Sequence, residues 1–275
     1  MRLPYRRTVA RWVVWPLLSL SPALPTFAAP SWPMNGYGTA ALPDSGVYVG
    51  QFLSGLFEGQ GEITWRDGQK YTGSFKQGLF EGQGQITWRD GDQYIGGFKQ
   101  GQYHGYGKFN SARSGPDYAG EWRNGRQHGK GELTFRDGSR YVGEFALGSR
   151  NGQGVLTVPG EFTYRGAWKD GRYHGRGRTD FADGRHYEGS YENGFFHGTG
   201  EYVDPGKQTY RGQFAKGYSN GEGRIEWTNG DWYEGTFSQG EQHGEGACQI
   251  RGERGRCTYK KGVLVAFKRA FKPDA

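Results

Sequence analysis

Only two cysteines and two methionines occur among the 275 residues. Aliphatic side chains are scarce too: the hydrophobic share is 34%, and aromatics make up 16% of the chain. That shortage argues against a large two-layer core. No apolar run reaches the roughly 20 residues a membrane-spanning helix needs. Gly-x-Ser-x-Gly, His-Glu-x-x-His and phosphate-loop Gly-Lys-Ser/Thr signatures are absent. Carboxylates are scattered and no pair stands out, so the chain reads as a non-enzyme with no cofactor and no metal. What it has is 51 glycines, 18 tyrosines, 17 phenylalanines and 9 tryptophans. Glycine is close to a fifth of the chain, against about 7% in average proteins. Each interior glycine costs a helix roughly 1 kcal/mol relative to alanine, which excludes a helical protein. Glycine does not recur every third residue, which excludes collagen. So many rings exclude a disordered polar chain. A glycine-and-aromatic β architecture built from repeats remains.

The formal net charge of +7 is concentrated at the two ends. Arg2, Arg6, Arg7 and Arg11 carry +4 with no acid before Asp44, and residues from 251 onward carry +6, which leaves −3 for the body. A slightly acidic body has no field to hold a phosphate backbone, so nucleic acid is not an expected partner. Residues 1–29 have the order of a signal peptide: arginines, then the short apolar run Trp12–Leu20, then small residues around Ala28 and Ala29. The expected location is therefore the periplasm or outside the cell, with a retained anchor as the alternative. An oxidising compartment lets the two cysteines pair.

A fixed period organises the rest. Tyr48, Tyr71, Tyr94, Tyr118, Tyr141, Tyr164, Tyr187, Tyr210 and Tyr233 each open a unit, 23 residues apart except for 24 between Tyr94 and Tyr118. With each tyrosine as zero, glycine stands at +2, +7, +11 and +13 in all nine units, and +4 is always aromatic, from Phe52 to Phe237. Position +15 is mostly apolar, with Thr179 the exception. Alternation places the tyrosine, Gly(+2) and the +4 ring on one face of a strand, and Gly(+13), +15 and +17 on the same face of the next. The other face is polar or small. The glycines make slots for neighbouring rings. Gly(+7) suits a tight hairpin turn, and pairs such as Asp67-Gly68 suit the turn between units. No unit buries its rings alone, so stacking must supply the core.

The stretch Glu58-Gly-Gln-Gly-Glu-Ile-Thr-Trp-Arg-Asp-Gly-Gln-Lys-Tyr-Thr-Gly-Ser-Phe75 resembles the MORN repeat. The resemblance implies an all-β fold, an elongated, twisted single-layer antiparallel sheet of consecutive β-hairpin repeats. The chain then divides into a signal peptide (1–29), a linker and N-terminal half-repeat cap (30–47), nine repeats (48–254), and a C-terminal half-repeat cap with a basic tail (255–275). In the last of these, Gly255, Cys257, Tyr259 and Gly262 take the tyrosine, Gly(+2), aromatic and turn-glycine places of a tenth half-unit, after a one-residue deletion.

Several residues invite a functional reading. Cys248, at +15 of the ninth unit, is expected directly opposite the Gly(+2) place, which Cys257 fills; a disulfide follows. His104, His128, His174, His197 and His243 all stand at +10, where other units have Glu58, Glu81, Asn151 and Asn220. Consecutive units place them about 10 Å apart, too far to share a metal, so a polar residue bonding a turn is expected. The +17 rings Trp65, Trp88, Phe135, Phe181 and Trp227 are candidate groove contacts if one face is open. The C-terminal Lys268, Arg269 and Lys272 could touch anionic lipid, or their segment could cover the sheet edge.

The MORN resemblance implies a binding scaffold. The primary expectation is a non-catalytic module for protein–protein interaction in the cell envelope, with self-association open alongside an unknown partner. Binding to an anionic phospholipid surface is the alternative, and envelope-glycan binding a further one.

Overall fold

A tyrosine beside a glycine two residues on, repeated every hairpin, turns this chain into strand after strand. The computed structural model describes residues 33–43, 45–113 and 115–270; the expected signal segment and Lys272 lie outside them. Among the described residues there is strand, turn and bend but no helix. Two units divide the chain. The first, ending at Ser149, contains β1 (Gly36–Ala41), β2 (Val47–Leu53), β3 (Leu56–Thr64), β4 (Lys70–Lys76), β5 (Leu79–Thr87), β6 (Gln93–Lys99), β7 (Gln102–Asn110), β8 (Asp117–Arg123), β9 (Arg126–Thr134) and β10 (Arg140–Ala146). The second, from Arg150, contains β11 (Ser149–Val158, all but its first residue), β12 (Phe162–Lys169), β13 (Arg172–Phe181), β14 (His186–Glu192), β15 (Phe195–Asp204), β16 (Gln208–Ala215), β17 (Tyr218–Trp227), β18 (Trp232–Ser238), β19 (Glu241–Ile250), β20 (Glu253–Lys260) and β21 (Val263–Arg269). Within each unit every strand pairs antiparallel with its chain neighbours.

The first full repeat shows why the pattern is needed. Ser54 and Gly55 both have positive φ, 52° and 74°, the two-residue turn that matches the twist of a hairpin. Gly50 stands opposite Gly61, and the register then shifts before Phe52 meets Phe57. That bulge takes the Gln51 carbonyl out of step, and the Tyr48 hydroxyl donates a hydrogen bond to it at 2.7 Å. To reach it the ring must lie flat over the strands. A Cβ on Gly61 would sit 2.5 Å from that ring, and one on Gly50 would sit 2.3 Å from its hydroxyl, so only glycine fits either place. The slots hold the repeat's own tyrosine. The same donation recurs in both units, for example Tyr94 to Gly97 and Tyr187 to Ser190. It gives a reason for tyrosine rather than phenylalanine at position zero, since a buried carbonyl left unpaired is costly.

The core is a chain of rings on one face. Tyr48 is fully buried, stacked on Phe57 at 3.8 Å, and meets Phe52 and the next repeat's Phe75 edge-on at 5.2 and 5.1 Å. Edge-on and offset contacts are the favoured geometries of aromatic pairs. Each repeat thus borrows a ring from the next, which is why none stands alone. Between repeats, Trp65 and Gln69 close the turn by a backbone bond of 2.9 Å, and Asp67 accepts from the Gln69 N–H at 3.0 Å.

At the N-terminal end β1 pairs with β2 so that Gly38 faces Gly50 and Ala40 faces Tyr48, the register of a second hairpin strand. The other end differs from a half-unit with a tail. Lys261 and Gly262 make a further turn at positive φ, and Val263–Arg269 returns as β21 along β20. The segment that has no clean period in sequence is the second strand of a tenth hairpin, and the hydrogen bonds of β20 supply the order that its side chains do not.

Candidate functional site

The two cysteines are joined in a disulfide with Cα atoms 5.9 Å apart. Their placement corrects the register expected for them. Position +15 faces the next tyrosine place, not Gly(+2), as Ile63 facing Tyr71 shows. Cys248 therefore stands opposite Gly255, and Cys257 opposite Gly246, so the bond runs diagonally. In other repeats a tyrosine stands at that place; Gly255 carries no side chain, and the Phe267 ring comes to 2.8 Å of where its Cβ would be.

The +10 residues face the polar side. Asn35, Glu58 and Glu81 accept from the backbone N–H of Ser54, Gln77 and Gln100, the turn residue of the following hairpin, at 2.8–3.0 Å. Their role is to tie one hairpin tip to the next. Of the histidines in the series, His197 contacts Glu192 at 3.3 Å, while Nδ1 of His104 is buried without a hydrogen-bond partner. Among the described residues no three or more potential ligands come together for a metal ion.

The five +17 rings lie on the tyrosine face, at the edge where repeats join, and all are half-buried. Trp88 leans on Phe109 at 5.8 Å, and Phe181 lies between Phe162 and the Arg185 guanidinium. They are separate edge contacts of the core, one per repeat. Lys268 and Arg269 are consecutive in β21 and so point to opposite faces. Arg269 is ion-paired with Glu253, and Lys268 stands opposite Arg256. The structure does not gather them into one basic surface.

Sequence reasoning missed position +9. Phe57, Phe80, Tyr103, Tyr173 and Phe196 stack on their repeat's tyrosine at 3.7–4.0 Å. Gln127 and Arg150 take that place in the fourth and fifth repeats; Arg150 lies over Trp168 at 4.4 Å and donates to the Gly171 carbonyl. Their spacing from the tyrosine was a readable signal, masked by these departures.

The polar face holds the variety. One row crosses the strands at +1 and +14. In the second unit it is charged: Arg178 with Glu188 at 3.1 Å, Arg211 with Glu201 at 2.7 Å, Arg224 with Glu234 at 3.0 Å. In the first unit it includes Val49, Ile95, Ala119 and Val142. A hollow of about 430 Å³ opens on the first unit, lined by Lys99, His104, Gly105, Glu121, Trp122, Arg123 and His128.

A constant ring-and-glycine frame carrying side chains that change from repeat to repeat is what a family comparison then finds. The family model described as MORN repeat matches residues 48–70, 71–93, 94–112, 118–140, 141–159, 164–184, 187–209, 210–232 and 233–251. The chain belongs to the MORN repeat family. MORN repeats are in general protein- or membrane-binding modules. No curated protein matches the chain. Among solved structures it is similar to the wild-type TCP10 domain of Danio rerio CPAP, at 12% identity and TM-score 0.40, covering 76% of this chain and 99% of that one. It is also similar to the SAS-4 (dCPAP) TCP domain of Drosophila melanogaster, solved in complex with a proline-rich motif of Ana2 (dSTIL), at 13% identity and TM-score 0.36, covering 70% and 99%. Likeness at that level carries no argument about what the MORN array here binds.

Proposed function

We propose that the chain is a non-catalytic MORN scaffold that holds a protein partner in the cell envelope. One observation carries this: the residues common to all repeats are spent inward, while the outward +1, +3, +12 and +14 positions change along each unit. The tyrosine hydroxyls, the slot glycines and the tip carboxylates Glu58 and Glu81 are engaged in holding hairpins together. What is left to meet another molecule is a varied polar face on a rigid backing, the form in which recognition surfaces are usually carried. The signal-like first 29 residues and the Cys248–Cys257 disulfide support an exported, oxidising setting. The test is crosslinking of the tagged full chain in native envelope, with the captured material read by mass spectrometry. Co-recovery of one partner protein in stoichiometric amount is expected. Recovery of the chain alone would replace this reading with self-assembly.

A further inference from the structure

The first unit carries a patch that its own residues do not neutralise. Lys99 and Arg123 stand at equivalent places on neighbouring hairpin tips, both exposed, on either side of the hollow described above. Lys108 and Lys130 lie on the same face of β7 and β9, exposed as well. Among the described residues none of these four cations has an ion-pair partner. Two acids lie within the patch: Glu144, opposite Lys130 on the next strand, and Glu121. One oxygen of Glu121 accepts from the Lys130 backbone N–H at 2.9 Å, and the carboxylate lies folded over Gly129, where a Cβ would sit 2.4 Å from it. The backbone thus holds that carboxylate down against the sheet.

Amid these cations stands Tyr106, 61% exposed, opposite Glu121 on the neighbouring strand. Ile95, 46% exposed, is on the same face. The hollow lies beside them, with His104 in its wall. Position +3 is glycine in the third repeat alone, Gly97, where other repeats have side chains such as Gln51 or Glu121. Gln51 and Glu121 cap the backbone N–H at +12 of their own repeats. At 97 no side chain makes that cap, and the His104 carbonyl takes its place, 2.1 Å from where a Cβ would sit; the buried, unpartnered Nδ1 of His104 adds an unused polar group to the wall of the hollow. Tyrosine and arginine beside a recess are residue types in which interface hot spots are rich.

We propose that this face of β6 to β9 binds an acidic peptide segment of a protein partner, with Lys99 and Arg123 holding carboxylates and Tyr106 packing on the segment between them. The proposal rests on the scaffold reading and names the chemistry of its partner. Charge complementarity favours a peptide over a membrane: the patch is local, and the body around it is slightly acidic, so it offers no extended field to a lipid surface.

Anisotropy titration of the full chain with a labelled glutamate- and glycine-containing peptide tests it. Binding that weakens with salt is expected. Lys99→Glu with Arg123→Glu should weaken it about tenfold, and Tyr106→Ala should weaken it by a smaller factor. The control pair Lys169→Glu with Arg172→Glu, which face each other across one hairpin tip of the second unit, should leave it unchanged. All these side chains are exposed, and equal thermal melts will show that the variants fold. No binding at low salt, or equal loss in both charge pairs, overturns the proposal. Vesicles of phosphatidylglycerol bound in place of the peptide, and released by the first pair, would overturn it in favour of a membrane. A photo-crosslinker at position 106 separates the two levels. A partner captured in envelope only from second-unit positions sinks this site and leaves the scaffold; capture from neither unit sinks both.

Discussion

In the first unit Tyr48 stacks on Phe57 at 3.8 Å and meets Phe75 edge-on; in the second, Tyr187 stacks on Phe196 at the same distance and meets Phe214 edge-on. Turned over, the units no longer match. The second covers its polar face with arginine–glutamate pairs running strand to strand, and ends in a disulfide. The first leaves Lys99, Lys108, Arg123 and Lys130 unpaired around an exposed tyrosine. The same ring pattern thus carries a row of cross-strand pairs in one unit and a cluster of unpaired cations in the other. Stability is bought by the shared face, which frees the other to differ.

If the cores are equivalent, alkali should dismantle both together. Burial pushes the tyrosine hydroxyls up from their ordinary value near 10, Tyr48 to about 12 and Tyr187 further. A raised pKa favours the protonated, folded form. The stability is complete below pH 10 and is lost as the pH climbs from 10 toward 12, where the unfolded chain ionises first. Phenolate absorbance and loss of the β signal should rise together; phenolate formation with the fold intact would contradict the buried-tyrosine core. Next in size, Gly61→Ala and Gly200→Ala each force a Cβ to within about 2.5 Å of a tyrosine ring. Each should cost about 3 kcal/mol by urea unfolding, and a clear inequality would break the equivalence. Cys248→Ser removes a feature the first unit lacks. Closing so short a loop is worth about 2–3 kcal/mol, and the loss should appear as faster hydrogen exchange in β20 and β21 with the first unit unchanged.

Smaller effects sharpen the contrast. Gln127 occupies a stacking place, 4% exposed, with a buried amide nitrogen lacking a partner. Gln127→Phe should add a stack on Tyr118 and raise stability by about 1 kcal/mol, measured as an upward shift in the melting temperature. The smallest effect is that of salt. The three cross-strand pairs of the second unit are well exposed and worth at most about 0.5 kcal/mol each. High salt should raise hydrogen exchange on their strands slightly, more than on the corresponding strands of the first unit.

Much of this was legible in the chain because a fault in the period would be fatal. Tyrosine, glycine and ring recur at fixed offsets since every tyrosine needs the same two bare backbones beneath it. The exceptions were legible only in pairs. Thr179, the odd residue at +15, is fully buried and hydrogen-bonded at 2.7 Å to Tyr191, the only tyrosine at +4. One polar departure answers the other across neighbouring strands, which no count along the chain reveals. The +9 ring escaped notice because glutamine, arginine or serine replaces it in some repeats. Lys99, Arg123 and Tyr106 looked like ordinary surface residues, since nothing in a sequence states which charges find partners.

Sequence alone determined the strand period, the face on which the rings lie, the hairpin turns and the membership in the MORN family, because alternation and glycine's small size act over neighbouring residues. The tertiary structure decided what depends on partners across strands. The bulge before the +4 ring shifts the register within a hairpin and frees a carbonyl for the tyrosine hydroxyl, while the unshifted pairing of β19 with β20 sets Cys248 diagonally to Cys257. Pairing across strands likewise engages Arg178, Arg211 and Arg224 in the second unit and leaves the cations around Tyr106 facing solvent.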